Sequence, residues 1–202
     1  MKHLKMFGLA IMAAIAMMAV VGVGTASATV ICKNNLNTEK CSEPYAVGTE
    51  GTASLEGSAV VESGGSTLVT CTESIVKSTL AKAGSSTTTV QSGLSSITWG
   101  SCTTTVHTIK PGSAELHHIP GTDNGTLTTQ NTEVTTMIFG VSCTYGTGAS
   151  LDVGTTVGGN PGSMTLNTSF PRVAGGFLCP AAVTFKGKYV ATSPTNAWVA
   201  AG

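Results

Sequence analysis

The chain has 202 residues, 10 basic and 10 acidic side chains, and a charged fraction of only 10%. Charge this sparse, with no cluster of lysine or arginine, excludes a nucleic-acid surface that works by neutralising phosphates. The six cysteines are an even set, which in an exported chain reads as a disulfide framework and not as a metal or redox motif.

The chain starts with Lys2 and Lys5, continues as an uncharged apolar run from Met6 to Val23, and reaches the small-residue triplet Ala26-Ser27-Ala28. These are the three parts of an export signal in order. A run of this length could just span a bilayer, but Gly22, Gly24 and the triplet favour cleavage after Ala28. Residues 1–28 are therefore read as signal peptide, and the expected location is secreted, extracellular or cell-surface associated. The mature chain from Thr29 retains one arginine, Arg172, and has no second apolar stretch long enough to cross a membrane. No stable transmembrane segment is expected after cleavage.

All six cysteines, Cys32, Cys41, Cys71, Cys102, Cys143 and Cys179, follow the cleavage point. None forms a Cys-x-x-Cys pair or has a histidine at finger spacing. Pairing of neighbours is favoured: Cys32 with Cys41, Cys71 with Cys102, and Cys143 with Cys179.

Residues 29–48 read as an irregular lead pinned by the first small cysteine loop, and residues 49–202 as one all-β domain. From Thr49 the pattern has period two. Ala53, Leu55, Ala59 and Val61 fall on one face, and Thr52, Ser54, Glu56, Ser58 and Glu62 on the other. Gly64-Gly65 breaks this strand, and a second runs from Thr67 to Val76, making a hairpin. Ile75 to Ala83 is the one stretch that could be read as a short helix. Further strands are expected over Thr87–Trp99, Cys102–Ile109, Ala114–Ile119, Thr126–Thr136, Met137–Tyr145, Leu151–Val157, Ser163–Phe170 and Val183–Thr192, with Gly-rich turns between them. Such spacing predicts an antiparallel, disulfide-braced β-sandwich, Ig-like or similar, with a β-barrel as the alternative. In the sandwich, the two longer cysteine loops would staple facing sheets.

Groupings that carry chemistry are sparse. His117 and His118 are adjacent, so on a strand they point to opposite faces. Glu115 with His117 is the better same-face pair, and His107 is a third candidate metal ligand. Solvated side chains on a sheet face are the simpler reading of all three. There is no Gly-x-Ser-x-Gly elbow, no opposed carboxylate pair and no phosphate loop, so no enzyme activity, catalytic residue or cofactor is expected. Asn124-Gly125-Thr126 and Asn167-Thr168-Ser169 match the glycosylation acceptor triplet, which arises readily by chance in a chain with so much Thr and Ser.

Four segments, Ala26 to Cys32, His117 to Gly125, Val141 to Gly148 and Val173 to Pro180, resemble those of an uncharacterised family of small secreted proteins present in many copies in some actinobacterial genomes. The resemblance extends over nearly the whole chain and implies secretion and a shared fold. That group has no established activity, so no functional residue is transferred. On these grounds the expected role is non-enzymatic, either binding an unknown protein or cell-envelope partner or serving a structural part at the surface. The alternatives are a carrier of a small ligand or metal and a membrane-active β oligomer.

Overall fold

The structure, a computed structural model, describes residues 28–34 and 41–202. Except for Ala28, the expected export signal lies outside the described residues. Thirteen strands and no helix are present among them: β1 (Val30–Cys32), β2 (Glu50–Ser63), β3 (Ser66–Lys82), β4 (Val90–Cys102), β5 (Val106–Lys110), β6 (Ser113–His118), β7 (Gly125–Gln130), β8 (Glu133–Ile138), β9 (Val141–Gly146), β10 (Leu151–Val157), β11 (Ser163–Ala174), β12 (Ala182–Ser193) and β13 (Trp198–Ala200).

The sheet is a closed barrel, not a sandwich. Eight antiparallel strands follow one another around the wall in the order β2-β3-β4-β6-β7-β10-β11-β12, and β12 returns to pair with β2. The correction has a physical basis. A half-buried strand shows the same period-two alternation whether its inner face meets a second sheet or the opposite wall of its own. What separates the two is whether the last strand finds the first, and here Tyr189 pairs with Leu55 and Ala191 with Ala53 across that join. Closure also depends on Gly154, which lies in register with Leu127 on β7 and Leu166 on β11. A Cβ at residue 154 would lie 1.9 Å from the Thr165 carbonyl oxygen, so only glycine lets these strands approach.

Two insertions interrupt the meander. β5 follows β4, and the β8–β9 hairpin follows β7; with the far end of β11 they form a small flap sheet, ordered β5-β8-β9-β11. The flap covers one end of the barrel, where Ile138, Cys143, Tyr145, Cys179 and Val183 are buried with Val61, Leu68 and Phe170 packed against them. The ribbon of β1 and β13 covers the other, burying Val199 with Leu80, Val90 and Leu116.

Three disulfides join Cys32 to Cys41, Cys71 to Cys102, and Cys143 to Cys179. These are the neighbour pairs, but the longer two do not staple facing sheets. Cys71 and Cys102 are register partners on adjacent strands, and Cys143–Cys179 ties β9 to the turn after β11. The segment Ile75 to Ala83 is not helical: β3 continues as strand to Lys82, and its Val76, Ser78 and Leu80 face the barrel interior. The expected strand Thr126–Thr136 divides into β7 and β8 at Asn131, which takes a left-handed φ of 55°.

Candidate functional site

The interior of the barrel is hollow. An eight-stranded barrel is just wide enough for its inward side chains to fill it or for one small ligand to sit inside, and the size of those side chains decides which. On β6, inward-facing Ala114 is flanked in register by Ser92 of β4 and Thr129 of β7, and on the opposite wall Ala53 is paired with Ala191. With Gly51 and Ser78 these small residues leave the middle of the barrel open, while Leu94, Ile97, Leu166 and Val153 supply apolar wall around it. The resulting cavity has a volume of about 370 Å³, within the ~300–1,000 Å³ range of small-molecule sites.

Toward the flap the cavity meets an aromatic group. Trp99 and Phe185 contact edge to face with ring centroids 5.8 Å apart, and Phe170 and Phe185 do the same at 6.1 Å. The Trp99 indole N–H donates to Thr108 Oγ1 at 3.0 Å, and that hydroxyl donates to the Ile97 carbonyl at 2.8 Å, fastening β5 to β4. Beside this group lies a buried polar pair. Tyr189, only 1% exposed, donates its hydroxyl to Ser74 Oγ at 3.1 Å. Burial pushes the Tyr189 phenol up to about 12, partly offset by the bond to Ser74, so the ring stays neutral over the ordinary pH range.

The two ends of the cavity differ in access. At the flap end its lining includes the buried side chains Thr136, Tyr145 and Val183. At the ribbon end it includes Glu50, Val157 and Ser193, which are themselves exposed to solvent. Tyr45 reaches across this rim, donating to the Asn196 carbonyl at 2.7 Å.

The outer wall has the opposite character. Lys186 Nζ lies 2.6 Å from Glu62 Oε2, and Lys188 pairs with Glu56, all on adjacent strands β12 and β2. The barrel is apolar inside and charged or hydroxylated outside.

The three candidate metal ligands lie on two different sheets. Glu115 and His117 share the outer face of β6, with Glu115 Oε1 and His117 Nε2 3.9 Å apart. Glu115 also accepts from the Thr89 hydroxyl and, at 3.5 Å, from Gln130 Nε2. His107 is on β5 in the flap sheet, in register with Thr135 of β8. His118 is held by the Thr122 carbonyl 2.7 Å from its Nε2. Among the described residues no three side chains of His, Cys, Asp or Glu converge as a metal site would require. The cavity was missed at the level of sequence, although its signal was there: inward positions of long strands occupied by Ala, Ser, Gly and Thr.

No known family model, curated protein or solved structure matches the chain.

Proposed function

We propose that this is an exported, disulfide-braced carrier that holds one small apolar molecule inside its barrel. The observation that carries the reading is the 370 Å³ apolar-walled space left by small inward side chains. A barrel selected only for stability would fill that space, because each missing methylene forgoes about 0.8 kcal/mol of burial and leaves its neighbours without contacts. The exposed rim at Glu50, Val157 and Ser193 supplies the entrance, and the flap supplies the floor. Export fits the three disulfides, which persist in oxidising surroundings.

Insertion into membranes is disfavoured by the outer wall. A barrel in lipid carries its apolar residues outward, whereas here the outward residues of β2 and β12 form ion pairs.

The test uses N-phenyl-1-naphthylamine, a neutral dye that fluoresces in apolar surroundings. Saturable binding at one site per oxidised chain, with quenching of Trp99 by energy transfer to the dye, is the expected result. The Trp99→Phe variant controls for the second tryptophan, Trp198. Absence of saturable binding by this dye and by a panel of neutral C8 to C14 lipids would remove the carrier reading.

A further inference from the structure

One side chain crosses the entrance to the cavity. From Ser42 to Gly48 every residue is exposed except Tyr45, which turns inward onto the cavity and packs against the cluster of Leu80, Val90, Leu116 and Val199. The backbone that carries it is tied on both sides. Lys33 N–H donates to the Glu43 carbonyl at 3.0 Å, Tyr45 N–H to the Ile31 carbonyl at 3.0 Å, and Gly48 N–H to the Leu80 carbonyl at 2.8 Å. With the main chain held in this way, the part free to move is the ring.

The far end of that ring is held by a small polar node. The Tyr45 hydroxyl has one proton, shared between the Asn196 carbonyl at 2.7 Å and the Asn196 side-chain oxygen at 3.0 Å. The Asn196 amide donates in turn to the Lys33 carbonyl, and the Lys33 ammonium lies 5.6 Å from the centre of the Tyr45 ring. Three segments that are separate in the chain, one after β1, one before β2 and one between β12 and β13, therefore meet around Tyr45. Burial pushes the Tyr45 phenol above its ordinary value, so the hydroxyl keeps the proton it donates. A half-buried hydroxyl exchanges its partner for water at little net cost, so the node holds the ring without locking it.

We infer that Tyr45 is the gate of the barrel: its ring bars the passage between the cavity and the exposed rim at Glu50, Val157 and Ser193, and an apolar molecule enters or leaves only when the ring releases Asn196 and swings out. The inference rests on the carrier reading and adds to it a residue that controls exchange. The node joins protein groups only, so loosening it speeds entry and exit alike and leaves affinity where it was.

Stopped-flow fluorescence of N-phenyl-1-naphthylamine measures the association rate on mixing and the dissociation rate on displacement by excess 1-decanol. Tyr45→Phe keeps the ring and its packing and removes the hydroxyl. Both rates are expected to rise about 2- to 10-fold, the range of one net hydrogen bond, with equilibrium affinity unchanged. Lys33→Met is expected to raise both about 2- to 5-fold through loss of the cation over the ring, and serves if Tyr45→Phe folds poorly. Thr135→Val removes the 2.7 Å hydroxyl bond to Thr144 between β8 and β9 in the flap, at the opposite end, and is expected to leave both rates as they are. Unchanged rates in Tyr45→Phe and Lys33→Met overturn the gate, even where the urea midpoint falls, since a residue that only braces the fold would behave in that way. Faster exchange in Thr135→Val alone places the passage at the flap and overturns it as well. Faster dissociation of Tyr45→Phe at an unchanged association rate makes the tyrosine a ligand contact and not a gate. Failure of the dye to bind the unmodified protein falls on the carrier reading, and this inference falls with it.

Discussion

Whether the barrel is hollow or filled can be decided by the sign of one stability change. Ala114 faces inward between Ser92 and Thr129, all three of which line the cavity. Ala114→Leu adds three methylene-sized groups, worth about 2.4 kcal/mol if all are buried. Fixing the leucine rotamer returns about 0.5–1 kcal/mol of that. A net stabilisation of about 1.5 kcal/mol is expected, because open space receives the added atoms without displacing neighbours. In a packed interior the same substitution destabilises by about 1–3 kcal/mol through off-rotamer side chains and backbone shifts. Urea unfolding of the oxidised protein, followed by circular dichroism, measures the change as a shift in midpoint at constant slope. The variant should also lose affinity for N-phenyl-1-naphthylamine, since the leucine occupies the space of the dye. A lowered midpoint with dye binding intact would refute the hollow interior.

Phe139 holds a left-handed φ of 50° at the β8–β9 turn and is 72% exposed, so Phe139→Gly should stabilise the protein by about 0.5–1 kcal/mol, the conformational penalty relieved less the entropy of glycine; thermal melts would register it. Gly154→Ala should destabilise by about 3 kcal/mol, the upper end of overpacking, since its Cβ meets the Thr165 backbone and not a movable side chain; an unchanged urea midpoint would show that the strands part easily. Replacing Cys71 and Cys102 together by Ala should cost about 3–4 kcal/mol, against about 2.5 for Cys32 and Cys41, because the longer loop restricts the unfolded chain more; equal losses in denaturant titrations would contradict the loop-entropy account. The raised Tyr189 phenol makes stability fall with alkali: the unfolded chain releases this proton near pH 10 and the folded one near 12, so about 2–3 kcal/mol is lost as pH rises between those values. Tyr189→Phe should flatten that slope in unfolding titrations, and an unaltered slope would show that the group is not responsible.

The strand content was legible because Ala53, Leu55, Ala59 and Val61 alternate with polar residues, and only an extended backbone turns successive side chains to opposite faces. Disulfide pairing was legible from order alone, since each cysteine pairs with its neighbour. The misreadings share a cause, in that alternation reports which face is buried but not what lies opposite. The run Thr126–Thr136 alternates without interruption through Asn131, whose short polar side chain tolerates the left-handed turn that ends β7. Ile75, Val76 and Leu80 gave partial helical spacing because the exposed, outward Ile75 stands next to the inward Val76 and Leu80, whose period of two through Ser78 is unbroken. For the candidate site, Glu115 and His117 share a face as alternation requires, and their distance from the cavity chemistry follows from it: they sit on the outer face of the same strand that sends Ala114 and Leu116 inward.

The scarcity of large apolar residues has a different meaning once the barrel is closed. In a sandwich it would be a weakness, a thin core that bridges must rescue. In this barrel the missing bulk is localised: Ala, Ser and Gly stand at inward positions around the middle, while Val, Leu, Phe and Tyr gather at the two ends under the flap and ribbon. The disulfides follow the same division. Cys143–Cys179 binds the flap hairpin to the turn after β11, Cys71–Cys102 fastens the barrel wall near the flap, and Cys32 anchors the ribbon strand β1. A cavity of this size forgoes the contacts a filled core would make, so the stability of the fold must come from its ends, and covalent ties are placed at those ends. The lean composition and the six cysteines are thus two parts of one arrangement: small side chains leave the middle open, and the structures at its ends are bonded in place.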